Sequence, residues 1–147
     1  DWTKISEIKN NPRMHIPVFG NGDVNSPEKA KAMRDDYGLD GAMIGRGTIG
    51  NPWFFNQVKH YLNTGKKIEE PTIAERAEMA IRHLKMAIDW KGNVLGVLET
   101  RRHYGNYFKG IANFKETKSR ILRENDPAII LQELELVKKV FFEKELV

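Results

Sequence analysis

Over the first seventy residues, short apolar runs alternate with helix-sized segments. Ile5 and Ile8 share one face of a helix over residues 3–9, and a loop containing Asn11-Pro12 follows. Ile16-Pro17-Val18-Phe19 predicts a first strand, with Pro17 near its start, where a missing N–H is tolerated. Ser26 and Pro27 then read as the N-cap and first residue of a helix. Ala30, Met33 and Tyr37 form its apolar face, and Gly38 sits where a left-handed C′ residue is expected. Ala42-Met43-Ile44 predicts the second strand. Asn51-Pro52 repeats the cap-plus-proline signal and opens a helix striped by Trp53, Phe54, Val58, Tyr61 and Leu62, closed by Asn63-Thr64-Gly65. Each strand reads as buried and as ending in a turn with exposed backbone. The first turn is Gly20-Asn21-Gly22-Asp23 and the second Gly45-Arg46-Gly47.

The charged stretch of residues 66–70, with Pro71 after it, reads as a linker, and beyond it no strand is convincing. Thr72-Ile73-Ala74-Glu75 is a capping box that opens a long helix through Ala80, Leu84, Ala87, Ile88 and Trp90, with Gly92 as its stop. Further helices are expected over residues 93–108 and 114–124. A fourth, opening at Asp126-Pro127, carries Ile130, Leu131, Leu134, Val137, Val140 and Phe141. Short connections between four helices point to a bundle. The division is therefore a βαβα piece over residues 1–67 and a helical domain over residues 68–147: α/β followed by all-α. Two parallel strands alone leave a sheet uncovered on its faces and edges, so the chain reads as the tail of a longer protein.

Composition narrows the chemistry. The 147 residues are 40% hydrophobic and 30% charged, which is globular, with a formal charge of +4 that hints at an anionic partner. Cysteine is absent, which removes disulfides, thiolate metal sites and a cysteine nucleophile from these residues. No apolar run approaches membrane-spanning length. His15, His60 and His83 are isolated and read as surface or packing residues; no His/Asp/Glu group has metal-ligand spacing, and no catalytic triad is evident.

The two turns suit a phosphate. Gly20, Gly22, Gly45 and Gly47 let backbone approach a ligand, and Arg46 offers a forked cation. A short helical turn at Thr48-Ile49 would add a dipole end. Asp23 accepts only and, like the Asn21 amide, suits a sugar-type hydroxyl. In β/α barrels such a site follows the seventh and eighth strands. Farther on, residues 101–123 carry seven cations (Arg101, Arg102, Lys109, Lys115, Lys118, Arg120 and Arg123) against one acid, Glu116. His103, Tyr104, Tyr107, Phe108 and Phe114 are interleaved with them. The cations read as an RNA surface and the aromatics as core, with a turn at residues 110–113 setting two basic helices at an angle.

With these residues in hand, the chain resembles the bacterial tRNA-dihydrouridine synthases. The matching stretches are Ile16-Pro-Val-Phe-Gly-Asn-Gly-Asp23, Asp40-Gly-Ala-Met-Ile-Gly-Arg-Gly47, Asn51-Pro-Trp-Phe54, Arg102-His-Tyr-Gly105, Tyr107-Phe-Lys-Gly110 and Asn113-Phe-Lys-Glu-Thr117. The resemblance implies the C-terminal portion of a (β/α)8 TIM barrel that binds FMN, followed by a helical tRNA-binding domain, in a cytoplasmic enzyme. It implies reduction of a flipped-out tRNA uridine at C5–C6, with NADPH reducing the flavin, hydride passing to C6 and a cysteine protonating C5. It carries Asn21, Gly22, Asp23, Gly45 and Arg46 over as FMN contacts, and places Arg101, Arg102, Lys109, Lys115, Lys118 and Arg120 in the tRNA-contacting domain. The family's cysteine and earlier barrel strands are not in this chain, so no catalytic residue is assigned. The chain alone is expected to bind FMN weakly if at all, not to reduce uridine, and either to self-associate through exposed barrel edges or to be partly disordered. Two other readings stand beside it: an RNA-binding helical module without catalysis, and another FMN barrel oxidoreductase acting on a small molecule.

Overall fold

A computed structural model describes the backbone of residues 1–145 and the side chains of residues 1–141. Residues 146 and 147 of the expected helical domain lie outside the described residues. The chain divides into two compact units, Asp1–Glu69 and Glu70–Val147.

The first unit runs α1 (Trp2–Lys9), β1 (Phe19–Asn21), α2 (Pro27–Asp35), β2 (Gly41–Met43), a 3-10 turn (Arg46–Thr48) and α3 (Phe54–Thr64). Asp1 caps α1 by accepting from the Thr3 N–H. Ser26 caps α2 through the Lys29 N–H at 3.4 Å, with Pro27 inside the first turn. Gly65 closes α3 in the left-handed conformation, φ 70°. β1 and β2 pair in parallel, with Phe19 opposite Gly41 and Asn21 opposite Met43. Asp40 pins the start of this pair: its carboxylate accepts from the Val18 N–H at 2.7 Å and meets Lys9 at 2.6 Å. Lys9 and that amide hold the Asp40 carboxyl below the usual range.

The expectation of buried strands fails on one face. Gly20 faces Met33 and Leu39, where a Cβ would come within 2.4 Å of the Leu39 side chain. Side chains alternate along a strand, so Phe19 and Asn21 point the other way. Phe19 is 64% exposed, Met43 62% and Ile16 68%. The ordered strand is also shorter and later than the apolar run, because its pairing begins only at Phe19. The core lies on the covered side: Val24, Ala30, Met33, Leu39, Phe54 and Val58, with Ile5, Tyr37 and Leu62 packed against it. Asn51 does not cap α3 either; Trp53 holds the cap position and its side chain does not cap the helix, and the Asn51 amide donates to Gln57 at 3.3 Å.

The second unit contains α4 (Ile73–Tyr107), α5 (Lys115–Arg123) and α6 (Pro127–Glu145). Thr72 and Glu75 form the reciprocal capping box at 3.2 and 2.8 Å. Gly92, at φ 77° and ψ 170°, breaks α4, and the second half folds back on the first. A Cβ on Gly96 would lie 2.8 Å from the Ile88 nitrogen, eight residues earlier, so the two backbones touch where glycine stands. Ala77, Ala80, Leu84, Val97, Tyr104, Phe108, Phe114, Ile121, Ile130 and Leu134 are buried in the core of this unit. Trp90 does not join it. It is 81% exposed beside the break, with the Lys91 ammonium over its ring.

Candidate functional site

Parallel pairing sends the chain out of β1 and β2 at the same end of the sheet, so the two glycine turns start side by side. Gly22 (φ 124°) and Asp23 (φ 47°) turn the first loop through left-handed backbone. The second loop passes Gly45 into the 3-10 turn, which begins two residues before the Thr48-Ile49 position expected and is closed by Thr48 N–H to the Gly45 carbonyl at 3.1 Å. Gly47 lies on the first loop. A Cβ there would sit 2.6 Å from the Val24 carbonyl oxygen and 3.4 Å from the Asn25 Cα. This close approach brings Arg46 to Asp23, whose carboxylate accepts from the guanidinium at 2.5 Å. The pair is solvent-facing, 83% and 72% exposed.

The loops enclose a cavity of about 650 Å³, lined by Asn21, Gly22, Asp23, Met43, Gly45 and Arg46 among others. All five residues assigned to the cofactor thus face one space. A side chain at Gly45 would meet no protein atom within 4 Å, so packing does not demand glycine there; the bare backbone suits close approach by a ligand. The guanidinium and nearby amides fit a phosphate, while Asn21 and Asp23 supply partners for hydroxyls. As a carboxylate Asp23 repels an anion, so it suits the hydroxyl side of a ligand. The exposed ion pair it forms with Arg46 contributes only about 0.2–1 kcal/mol, so little holds the guanidinium to Asp23.

Two residues of this region escaped sequence reasoning. The Lys29 ammonium donates to the Asp23 carbonyl at 3.2 Å, adding a cation beside the loop. The Trp2 indole donates to the Gly22 carbonyl at 3.0 Å. Lys29 is one of two lysines on α2, and Trp2 lies twenty residues from its partner, so neither leaves a local signal.

The basic stretch of the second unit sorts into two groups. Arg102, Lys109, Lys115, Arg120 and Arg123 are exposed, while Arg101 and Lys118 are half-buried. Arg101 donates to the Glu124 carbonyl and the Asn125 side chain, each at 2.6 Å, tying α4 to the end of α5. Lys118 reaches the Gly105 carbonyl at 3.4 Å, and Arg120 pairs with Glu133. Arg102 donates to the His103 Nε2 at 3.3 Å through one guanidinium nitrogen, so Lys109 and Lys115 hold the least committed charge of the six assigned to RNA. The aromatics Tyr104, Phe108 and Phe114 are buried, and so is Tyr107. His83 is not isolated: its ring meets His103 edge-on at 4.4 Å, and its Nδ1 lies 3.3 Å from the Tyr107 hydroxyl. Burial, with His83 and Arg102 beside it, pushes the His103 imidazole down to about 4. Burial and Arg102 also lower His83. Among the described residues, no group of three or more His, Cys, Asp or Glu could hold a metal, and no helix is long and apolar enough to cross a membrane.

The model of the dihydrouridine synthase family matches residues 1–142. The chain is 36% identical over 134 residues to a protein of Rickettsia conorii named probable tRNA-dihydrouridine synthase, covering 91% of this chain and 40% of that protein. It is 41% identical over 120 residues to tRNA-dihydrouridine synthase B of Pseudomonas putida, covering 82% of this chain and 35% of that protein. A protein of the same name in Shewanella oneidensis is 41% identical over 107 residues, covering 73% and 33%. The chain thus spans 40% or less of the length of these relatives.

Two expectations come from this geometry. Gly47→Ala forces the loops apart, because the Val24 carbonyl is backbone and cannot swing away; unfolding in urea should show a loss of about 1–3 kcal/mol. A variant as stable as the parent would contradict the contact. The His103 shift fixes a pH window. Between about 4 and 6.5 the folded imidazole is neutral and the unfolded one protonated, so the unfolded state binds more protons and stability falls as pH drops through that window. His103→Gln should flatten this decline in melting temperature; parallel profiles would remove the assignment.

Proposed function

The chain belongs to the dihydrouridine synthase family, and on that premise we propose that it takes part in reducing uridine to dihydrouridine in tRNA, holding the cofactor phosphate with one unit and tRNA with the other. In this reading the strand–helix–strand unit is the closing part of a (β/α)8 TIM barrel, and the second unit is the helical tRNA-binding bundle. The cofactor is FMN, the reductant NADPH and the compartment the cytoplasm. Arg46 and the Gly45 and Arg46 amides hold the FMN phosphate, with Asn21, Gly22 and Asp23 toward the phosphate and the ribityl chain. Bound there, FMN supplies hydride transfer to the pyrimidine ring. The observation that carries the reading is the meeting of Arg46 with Asp23 at the shared mouth of two loops, each following a parallel strand.

For tRNA, Arg102, Lys109 and Lys115 contact phosphates directly. Arg101, Lys118 and Arg120 belong to the same basic face but also keep its helices in place. The open sheet face with Ile16, Phe19 and Met43 supports self-association of this chain in isolation, since monomeric proteins rarely leave large apolar patches uncovered.

Two measurements test this. The matching segment of the Pseudomonas putida enzyme is replaced by this chain, and flavin content and tRNA dihydrouridine are measured. The chimera should retain both, and Arg46→Ala should weaken flavin retention by roughly tenfold to a hundredfold, the worth of a charged hydrogen bond. Full flavin content in that variant would sink the phosphate site. Neutralising Arg102, Lys109 and Lys115 together should flatten the log–log salt dependence of tRNA binding by roughly two to three. An unchanged slope would place the RNA elsewhere.

A further inference from the structure

We propose that Trp2 is a positioning residue for the anion site, its indole N–H setting the peptide plane between Gly22 and Asp23. The inference rests on the cofactor reading above and extends it to a residue outside the cavity lining. The indole donates to the Gly22 carbonyl oxygen at 3.0 Å. In a planar trans peptide the carbonyl and the following N–H point in opposite directions. Fixing the Gly22 carbonyl on Trp2 therefore aims the Asp23 N–H away from Trp2. Gly22 and Asp23 line the cavity and Trp2 does not, so that N–H joins the donors on the ligand side.

The loop needs such an anchor. Gly22 at φ 124° and Asp23 at φ 47° are consecutive residues with positive φ, and left-handed backbone at a non-glycine residue persists only where its surroundings enforce it. Trp2 itself is held firmly. Its ring meets Tyr37 edge-on at 5.6 Å and packs against the core of the first unit, and Asp1 caps the helix that starts with it. A Cβ at residue 22 would come within 3.2 Å of the indole nitrogen. Glycine there permits the bond as well as the turn.

The test uses the whole chain, labelled with 15N and titrated with FMN into the millimolar range, with inorganic phosphate as a second probe. The Trp2 indole N–H signal, identified by its loss in Trp2→Phe, should shift as FMN binds, while that of exposed Trp90 stays. Trp2→Phe keeps an aromatic ring and removes the donor; its FMN dissociation constant should rise by roughly fivefold to tenfold. Tyr37→Leu removes the ring contact and keeps the donor, so it should lower the melting temperature and leave FMN affinity within about twofold of the parent. If Trp2→Phe binds FMN as the parent does, or if both variants lose affinity in step with their stability, Trp2 is only a packing residue. If the Trp2 signal stays silent while Arg46→Ala lowers the flavin content of the chimera, the role of Trp2 alone falls; if Arg46→Ala leaves that flavin content unchanged, the anion site itself falls and this role falls with it.

Discussion

The contact between Gly47 and the Val24 carbonyl fixes the spacing of everything at the cavity mouth. Val24 is buried in the core of the first unit, so its carbonyl cannot retreat, and Gly47 comes as close as a residue without a side chain allows. The parallel register brings the loops out side by side; the glycine contact presses them together. Arg46 follows, since the residue beside Gly47 must lie over the first loop, where Asp23 and its left-handed backbone meet it. The ion pair is a consequence of this spacing rather than its cause. A pair so exposed is too weak to hold two loops against solvent, whereas a backbone contact made against a core residue is not.

The same sheet is finished on one face and open on the other. Gly20 sits against Met33 and Leu39, both essentially buried, while Phe19 lies across Gly41 on the opposite face, largely in solvent. Burying a phenylalanine is worth about 1.5–3 kcal/mol relative to leaving it exposed; two large apolar side chains and Ile16 left in water are a standing drive toward cover. That drive and the cavity share a residue: Met43 lines the cavity and is exposed on the open face. Whatever covers the sheet would also change the apolar side of the site.

What was legible in the sequence followed range. Signals whose cause lies within about four residues appear where the sequence placed them: Ser26 and Pro27 at the start of α2, Thr72 and Glu75 in the capping box, Gly65 after α3, and Gly92 at the break in α4. Each is a local answer to unpaired helix-end amides or to a backbone only glycine adopts easily. The buried aromatics of residues 104–114 were also expected as core, from residue type. Readings that needed a distant partner failed. The exposure of Phe19 depends on what covers the sheet, the role of Asn51 on Gln57 six residues on, and the environment of His83 on His103 across the fold of α4. For the site, the glycines and Arg46 could be named because the chemistry is written in residue type, whereas Trp2 and Lys29 reach it only through tertiary geometry.

The basic stretch shows why counting charges overstates an interface. Arg101 satisfies the carbonyl at the end of α5, a place where cations also meet the negative end of the helix dipole. Arg120 is balanced by Glu133, and Lys118 leans on the Gly105 carbonyl. A cation held in an internal bond must break that bond to neutralise a phosphate, so its net yield in counterion release is smaller. In the proposed RNA reading the surface is narrower than the sequence stretch, centred on Lys109 and Lys115, with Arg102 beside them bonded to the His103 Nε2. The remaining cations still matter, because they fix the helices that present those three. A polyanion can be gripped only as firmly as the scaffold that spaces its counter-charges, and in this unit some of the charge is spent on being that scaffold.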